Sequence, residues 1–187
     1  MKIALIGSHG VGKTTLCFEL AAALKRRSAD VEMVREVARR CPLPINQETT
    51  IAAQEWILHT QIAWEIDAAG NSDVVLCDRS VLDNYCYLVH AAGSLRAWES
   101  FIDHWLPTYD VLVHVPISDR PSFDGVRAVD PTFQQLIDVL LEGMITARGL
   151  KPLRLEPQER GGWCEVIIER LLPMLEPTLP LFEEDLG

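Results

Sequence analysis

The chain has 187 residues, close to the ~150 expected per domain, and its 48% apolar and 24% charged residues exclude a disordered polymer. Seventeen basic residues against twenty-seven acidic ones give a net charge of -10, which argues against nucleic acid or an anionic membrane surface as the main partner. A small anion stays compatible, because a local pocket of Arg side chains and backbone N–H groups works inside an acidic protein.

Lys2-Ile-Ala-Leu-Ile6 is a short apolar run ended by Gly7, which predicts a buried strand. A helix is expected over Lys13–Arg27, with Leu16, Leu20, Ala23 and Leu24 on one face and basic residues in its last turn. Val31–Val34 reads as a second strand leading into Arg35-Glu36, and Cys41-Pro42 with Pro44 forces a loop. A long helix is expected over Gln47–Ala69, presenting Ile51, Leu58, Ile62 and Ile66 and closed by Gly70-Asn71. Asp73–Cys77 is the third strand, with Asp78 at its carboxyl end. Helices follow over Val81–Ala92 and Leu95–Trp105, parted by Gly93. Asp110–Val115 is the fourth strand, ended by Pro116. Residues 117–130, with Pro121, a glycine and mixed charges, read as a loop. Pro131–Arg148 has Pro early and Gly149 just past its end, the expected helix asymmetry. Leu153–Leu155 is a short fifth strand and Trp163–Leu175 the last helix, within an expected domain over 1–175. The remainder, 176–187, is an acidic tail carrying Pro177, Pro180, Glu183, Glu184 and Asp185.

Strands alternating with helices predict an α/β fold of three layers, a parallel sheet covered on both faces. Right-handed crossovers then bring every strand's carboxyl end to one edge, where such sheets bind ligands. That edge collects Gly7, Arg35-Glu36, Asp78-Arg79 and the segment from Pro116.

Gly7-Ser8-His9-Gly10-Val11-Gly12-Lys13-Thr14 satisfies G-x-x-x-x-G-K-[ST] at every fixed position, with Thr15 directly after. Glycines let the backbone turn its N–H groups inward around phosphate oxygens, and the following helix adds positive potential from its amino end. Lys13 is then expected on the β/γ-phosphates and the Thr14 hydroxyl on Mg²⁺. Chance alone produces this pattern in roughly one such chain per hundred, and the flanking strand and helix make chance rarer. His9 reads as a spacer in the loop. Asp78, ending an apolar strand, is the expected second Mg²⁺ ligand; the plainer alternative is that Asp78 or Ser80 caps the helix near Val81.

Glu36 reads either as a carboxylate that orients or deprotonates an acceptor hydroxyl, or as a surface salt bridge with Arg35, Arg39 or Arg40. Arg79 suits a substrate phosphate, or a neighbouring acid. Arg120 and Arg127 stand in the 117–130 loop among Asp119, Asp124 and Asp130. They read either as cationic groups of a lid closing over a γ-phosphate or as locally paired solvated charges. Trp56, His59 and Trp64 of the long helix are candidate pocket walls, with core or rim as the plainer reading. No histidine spacing matches a zinc site. Cys17, Cys41, Cys77, Cys86 and Cys164 form no C-x-x-C pair, which points to a reducing compartment. With no secretory leader pattern and no run of ~20 apolar residues, a cytoplasmic location is expected.

With these residues assembled, the chain resembles P-loop kinases of the nucleoside and nucleotide kinase type, and more closely the small AAA-type ATPases that include the ribosylnicotinamide kinase domain. The resemblance rests on 7–15, Arg-Glu-Val-Ala-Arg at 35–39, Asp-Arg-Ser-Val-Leu-Asp-Asn-Tyr at 78–85 and Asp-Gly-Val-Arg-Ala-Val-Asp at 124–130. It implies a five-stranded sheet of order 2-3-1-4-5, ATP with Mg²⁺ as donor, and a lid at 117–130. It also gives Lys13, Thr14, Asp78, Arg79 and Arg127 roles in phosphate, metal and transition-state contact, and sets residues 156–162 beside the adenine. The expected activity is phosphoryl transfer to a small nucleoside- or nucleotide-like acceptor, alone or as a homodimer. The competing class is a nucleotide-hydrolysing switch acting through a protein partner. Against an ordinary GTPase stands the lack of any N-K-x-D base-recognition motif.

Overall fold

The computed structural model describes residues 1–118 and 130–175. Five parallel strands form one sheet: β1 (Lys2–Ile6), β2 (Val31–Val34), β3 (Val74–Asp78), β4 (Val111–His114) and β5 (Leu153–Arg154), in the order β2-β3-β1-β4-β5. The helices are α1 (Lys13–Lys25), α2 (Ile51–Asn71), α3 (Val81–Ala92), α4 (Arg96–Trp105), α5 (Pro131–Ala147) and α6 (Trp163–Leu175). The alternation and the strand order are those expected from the sequence.

β1 is buried along its whole length and sits at the centre. Its alternating side chains feed two cores. Ala4 and Ile6 join Leu82, Leu88, Ile102 and Ile137 under α2–α5, while Ile3 and Leu5 join Leu20, Leu24, Ile167 and Leu171 under α1 and α6. Apolar side chains on both faces are what a central parallel strand requires. No helix among the described residues is long and apolar enough to cross a membrane.

Two readings of the long helix need correction. It starts at Ile51 rather than Gln47, because the Thr50 hydroxyl caps it by accepting from the Ala53 N–H at 3.2 Å. Residues 46–48 form a separate 3₁₀ turn behind Asn46, whose φ is +62°. The buried face is also rotated from the expected one. Of the expected residues Leu58 is buried and Ile62 packs against the core, but Ile51 and Ile66 are exposed, and Ala53, Gln54, Ile57, Gln61, Glu65 and Ala68 complete the inward face. Counting apolar residues selects the wrong stripe wherever a helix turns Gln and Glu toward a buried polar network.

The segment 119–129, with Arg120 and Arg127 and most of the expected lid, lies outside the described residues, as does the tail 176–187.

Candidate active site

The loop between β1 and α1 wraps because its three glycines, Gly7, Gly10 and Gly12, adopt conformations that other residues resist. Gly7 has φ +147°, and a Cβ there would stand 2.5 Å from the carbonyl oxygen of Val115, just past the end of β4. Gly12 has φ +99° and caps α1 with no side-chain bond, leaving the helix's amino end open to a ligand. The loop is braced from outside. The Asp83 carboxylate accepts from the Gly7 N–H at 2.8 Å with one oxygen and from the Ser80 N–H and hydroxyl at 2.9 and 2.7 Å with the other. Ser80 and Asp83 together form the capping box that starts α3. That S-x-x-D spacing is readable in sequence, but its tie to Gly7 is not.

Inside the loop the Lys13 ammonium donates to the Gly7 and Ser8 carbonyls at 2.7 and 2.6 Å. Burial, helped by the Arg79 charge, pulls its pKa down to about 8. The Thr14 hydroxyl donates to Asp78 Oδ2 at 2.6 Å, so β3 and the start of α1 are joined at the base of the loop. Burial, with the Glu36 charge behind it, raises the Asp78 pKa, opposed by Lys13, Thr14 and Arg79. A hydroxyl and a carboxylate are hard oxygen donors that suit Mg²⁺, an ion that keeps several waters and needs few protein ligands. Ser80, not Asp78, caps α3, so the capping alternative for Asp78 falls.

His9 is more than a spacer. It is buried, its Nδ1 lies 3.1 Å from the Tyr87 hydroxyl, its ring packs 5.3 Å from Phe133, and its carbonyl accepts from Gln134 Nε2 at 2.7 Å. The loop is thereby fastened to α3 and α5. Val11 is buried in the core, and Thr15 is exposed.

Glu36 and Arg79 meet across 43 positions of sequence. Arg79 Nε and Nη2 approach Glu36 Oε1 at 2.9 and 2.8 Å, and Arg39 Nε donates to Oε2 at 2.9 Å. Glu36 is 7% exposed and Arg79 4%, so this is a buried cluster rather than the surface pair considered above. Arg35 points elsewhere, over the Phe18 ring.

Beside this cluster lies a partly open cleft of about 410 Å³, a volume that includes its mouth. His9, Glu36, Arg39, Gln54, Arg79, Asn84 and Tyr87 line it. Arg79 Nη1 and Asn84 Nδ2 are buried there without a hydrogen-bond partner among the described residues. Buried donors left unpaired are costly, by about 1–3 kcal/mol each, so such groups call for a water or a ligand. Gln54, Asn84 and Tyr87 escape sequence reading, because only the packing of α2 and α3 turns them to one cleft. Trp56, His59 and Trp64 do not line it: His59 lies against Trp98 and Phe101, and Trp64 lies under Arg40. Arg160, in the 3₁₀ turn Pro157–Gly162, approaches the loop from its other side. Its Nη2 lies 3.3 Å from where a Gly12 Cβ would stand, and its Nη1 lies 3.3 Å from the Ser118 hydroxyl. The buried thiols of Cys17, Cys77 and Cys86 have pKa values raised chiefly by burial, which suits inert core residues.

Among solved structures the chain is similar to the deoxyadenosine kinase of M. mycoides. The form with the products dCMP and a flexible dCDP matches with a TM-score of 0.66 and 17% identity over 92% of this chain and 100% of that one. The dATP-bound form matches with a TM-score of 0.64 and 16% identity over 92% and 99%. No curated protein matches in sequence. The family model described as an AAA domain matches residues 2–163. The chain therefore belongs to that AAA domain family and carries the fold of the P-loop nucleoside and nucleotide kinases.

Proposed function

We propose that the protein transfers the γ-phosphoryl group of ATP to a hydroxyl or phosphate of a nucleoside- or nucleotide-like metabolite. The observation that carries this reading is the cleft beside the loop, whose buried Arg79 Nη1 and Asn84 Nδ2 lack partners among the described residues. A protein that only hydrolyses nucleotide has no need of a second walled cleft with unpaired donors. Similarity to a deoxyadenosine kinase supports the same reading at the level of fold.

The triphosphate lies along 7–14, its oxygens facing the loop N–H groups, the Lys13 ammonium and the open amino end of α1. Thr14 and Asp78 would hold Mg²⁺, which would supply positive charge against the phosphate oxygens. The acceptor occupies the cleft, held by Arg79, Asn84 and Gln54. Glu36 lines that cleft while Asp78 does not, so Glu36 orients the acceptor hydroxyl and takes its proton. The acceptor oxygen bonds to the γ-phosphorus as the β–γ bridging bond breaks. In so loose a transfer the base matters less than alignment and charge. Arg120 or Arg127, outside the described residues, is the proposed source of further positive charge for the γ-oxygens, and Arg127→Ala is expected to lower turnover far more than ATP affinity.

The test is a panel of nucleosides and nucleoside monophosphates with ATP or GTP and Mg²⁺, read by mass spectrometry of the product. One acceptor should be phosphorylated, and Lys13→Ala should abolish transfer. Hydrolysis without transfer to any acceptor, accelerated by a protein partner, overturns the reading.

A further inference from the structure

Arg79 is the residue on which the cleft turns, and its backbone is unusual. Its φ is +91°, a left-handed conformation that a long side chain adopts only when its surroundings impose it. The Arg79 N–H donates to the Leu5 carbonyl at 3.2 Å, which ties it to β1. Its own carbonyl accepts from Gln61 Nε2 at 3.3 Å. Gln61 is wholly buried, and the same nitrogen donates to Glu65 Oε1 at 2.8 Å. With two acceptors on that side, the amide's orientation is fixed: nitrogen toward Arg79 and Glu65, oxygen away.

Glu65 is 0% exposed and receives four donors. Besides Gln61, Tyr109 Oη donates to Oε1 at 2.7 Å, while Lys2 Nζ and Trp105 Nε1 donate to Oε2 at 2.8 Å each. Lys2 supplies the countercharge, its ammonium 4.6 and 4.5 Å from the Trp105 and Tyr109 ring centres. The Tyr109 hydroxyl also accepts from the Val81 N–H at 3.0 Å, at the first residue of α3. The network thus grips the Arg79–Val81 junction at two points from behind the sheet edge, while the Arg79 guanidinium faces the cleft in front.

We infer that Gln61 and Glu65 are positioning residues: through the Arg79 carbonyl they hold the backbone that aims the Arg79 guanidinium at Glu36 and the acceptor. Their burial within a folded core does not by itself call for a charged pair, since apolar residues fill such space at less desolvation cost. The network earns its place by fixing one backbone conformation. The kinetic half of this inference rests on the acceptor site proposed above; the conformational half does not.

The experiment uses the full chain with Gln61→Leu, which keeps bulk and removes both donated bonds, and Tyr109→Phe, which loosens Glu65 and the Val81 N–H while leaving Gln61 in place. Ile102→Val, a truncation in the same core away from Arg79, is the stability control. The first readout is the Arg79 Nε–H resonance in a ¹H–¹⁵N spectrum, assigned with Arg79→Lys and slowed in exchange by its bond to Glu36. It should shift and lose exchange protection in Gln61→Leu, do so less in Tyr109→Phe, and stay in place in Ile102→Val. The second is acceptor kcat/KM, expected to fall about tenfold or more in Gln61→Leu while ATP affinity stays within about twofold, since small misplacements of a positioning group are costly. If Gln61→Leu does not fold, Tyr109→Phe decides on the same readouts. A resonance that keeps its place, or a kinetic loss no greater than that of Ile102→Val at equal loss of Tm, overturns the inference. If no acceptor is phosphorylated at all, the proposed function fails and the resonance alone decides the positioning role.

Discussion

The Lys13 ammonium donates to the Gly7 and Ser8 carbonyls, so it already lies within the loop before any anion arrives. Its pKa of about 8, lowered mainly by burial from an ordinary 10.5, has two consequences of opposite sign. For folding, the buried charge is a cost that is fully present below pH 8. The cost fades as pH rises from about 8 toward 10.5, because the folded chain has already lost a proton that the unfolded chain still holds. For phosphate binding the charge is the asset. Affinity for ATP·Mg should therefore be level up to about pH 7.5 and fall by up to tenfold per pH unit above about 8. Lys13→Arg, whose guanidinium stays charged, should remove that break. Calorimetric titrations between pH 7 and 9.5 measure it, and a level profile across pH 8 in the unaltered protein contradicts a phosphate role for this ammonium. That Lys13, Thr14 and Asp78 come together was legible in sequence because one motif carries the first two and an apolar strand pattern ends at the third. Glu36 was not, since Arg35, Arg39 and Arg40 offered equal partners nearby. Its buried partner Arg79 comes from another strand.

At the scale of an element, α2 shows what periodicity misses. Its inward stripe includes Gln54, which lines the cleft, and Gln61 and Glu65, which support Arg79 from behind. Polar side chains on a buried face register as solvent-facing in any apolar count, so the helix's direction was misread although its existence was plain. It starts later than Gln47 because the fold selects Thr50, one of the two hydroxyls that Thr49-Thr50 offers, as the cap. Thr50→Ala should therefore destabilise the protein by about 1 kcal/mol, lowering Tm by roughly 2–4 °C, while Thr50→Ser stays close to the parent. Had the helix begun at Gln47, position 50 would be interior, where Ala is the better helix former and the same change would stabilise by roughly 0.5 kcal/mol. The sign of the Tm change separates the two starts.

For the whole molecule, the sheet order was legible because alternating strand and helix signals leave few topologies once crossovers are right-handed. What the alternation does not show is how the two cores communicate. They share the strands: successive residues of β1 point alternately into one and the other, as Ala4 and Ile6 do against Ile3 and Leu5. Losing either layer exposes one face of the same central strand, so neither core has a stable scaffold without its opposite. The two faces should unfold as one unit. Trp105 packs against the first core and Trp163 is buried in the second, so variants retaining only one of these, with the other four tryptophans changed to Phe, report each face separately. Their urea midpoints should coincide once differences in stability between the two variants are matched by circular dichroism of each. Ile102→Val and Ile167→Val, both at 0% exposure and on opposite faces, should each cost about 0.5–1.5 kcal/mol. Sharing no side-chain partner, they should add to within about 0.5 kcal/mol in the double variant. A biphasic transition, or a Trp163 signal lost while the Trp105 signal persists, would mean that α1 and α6 detach from a sheet still held by α2–α5. The phosphate loop, whose helix is α1, would then open ahead of the cleft that Arg79 and Glu36 define.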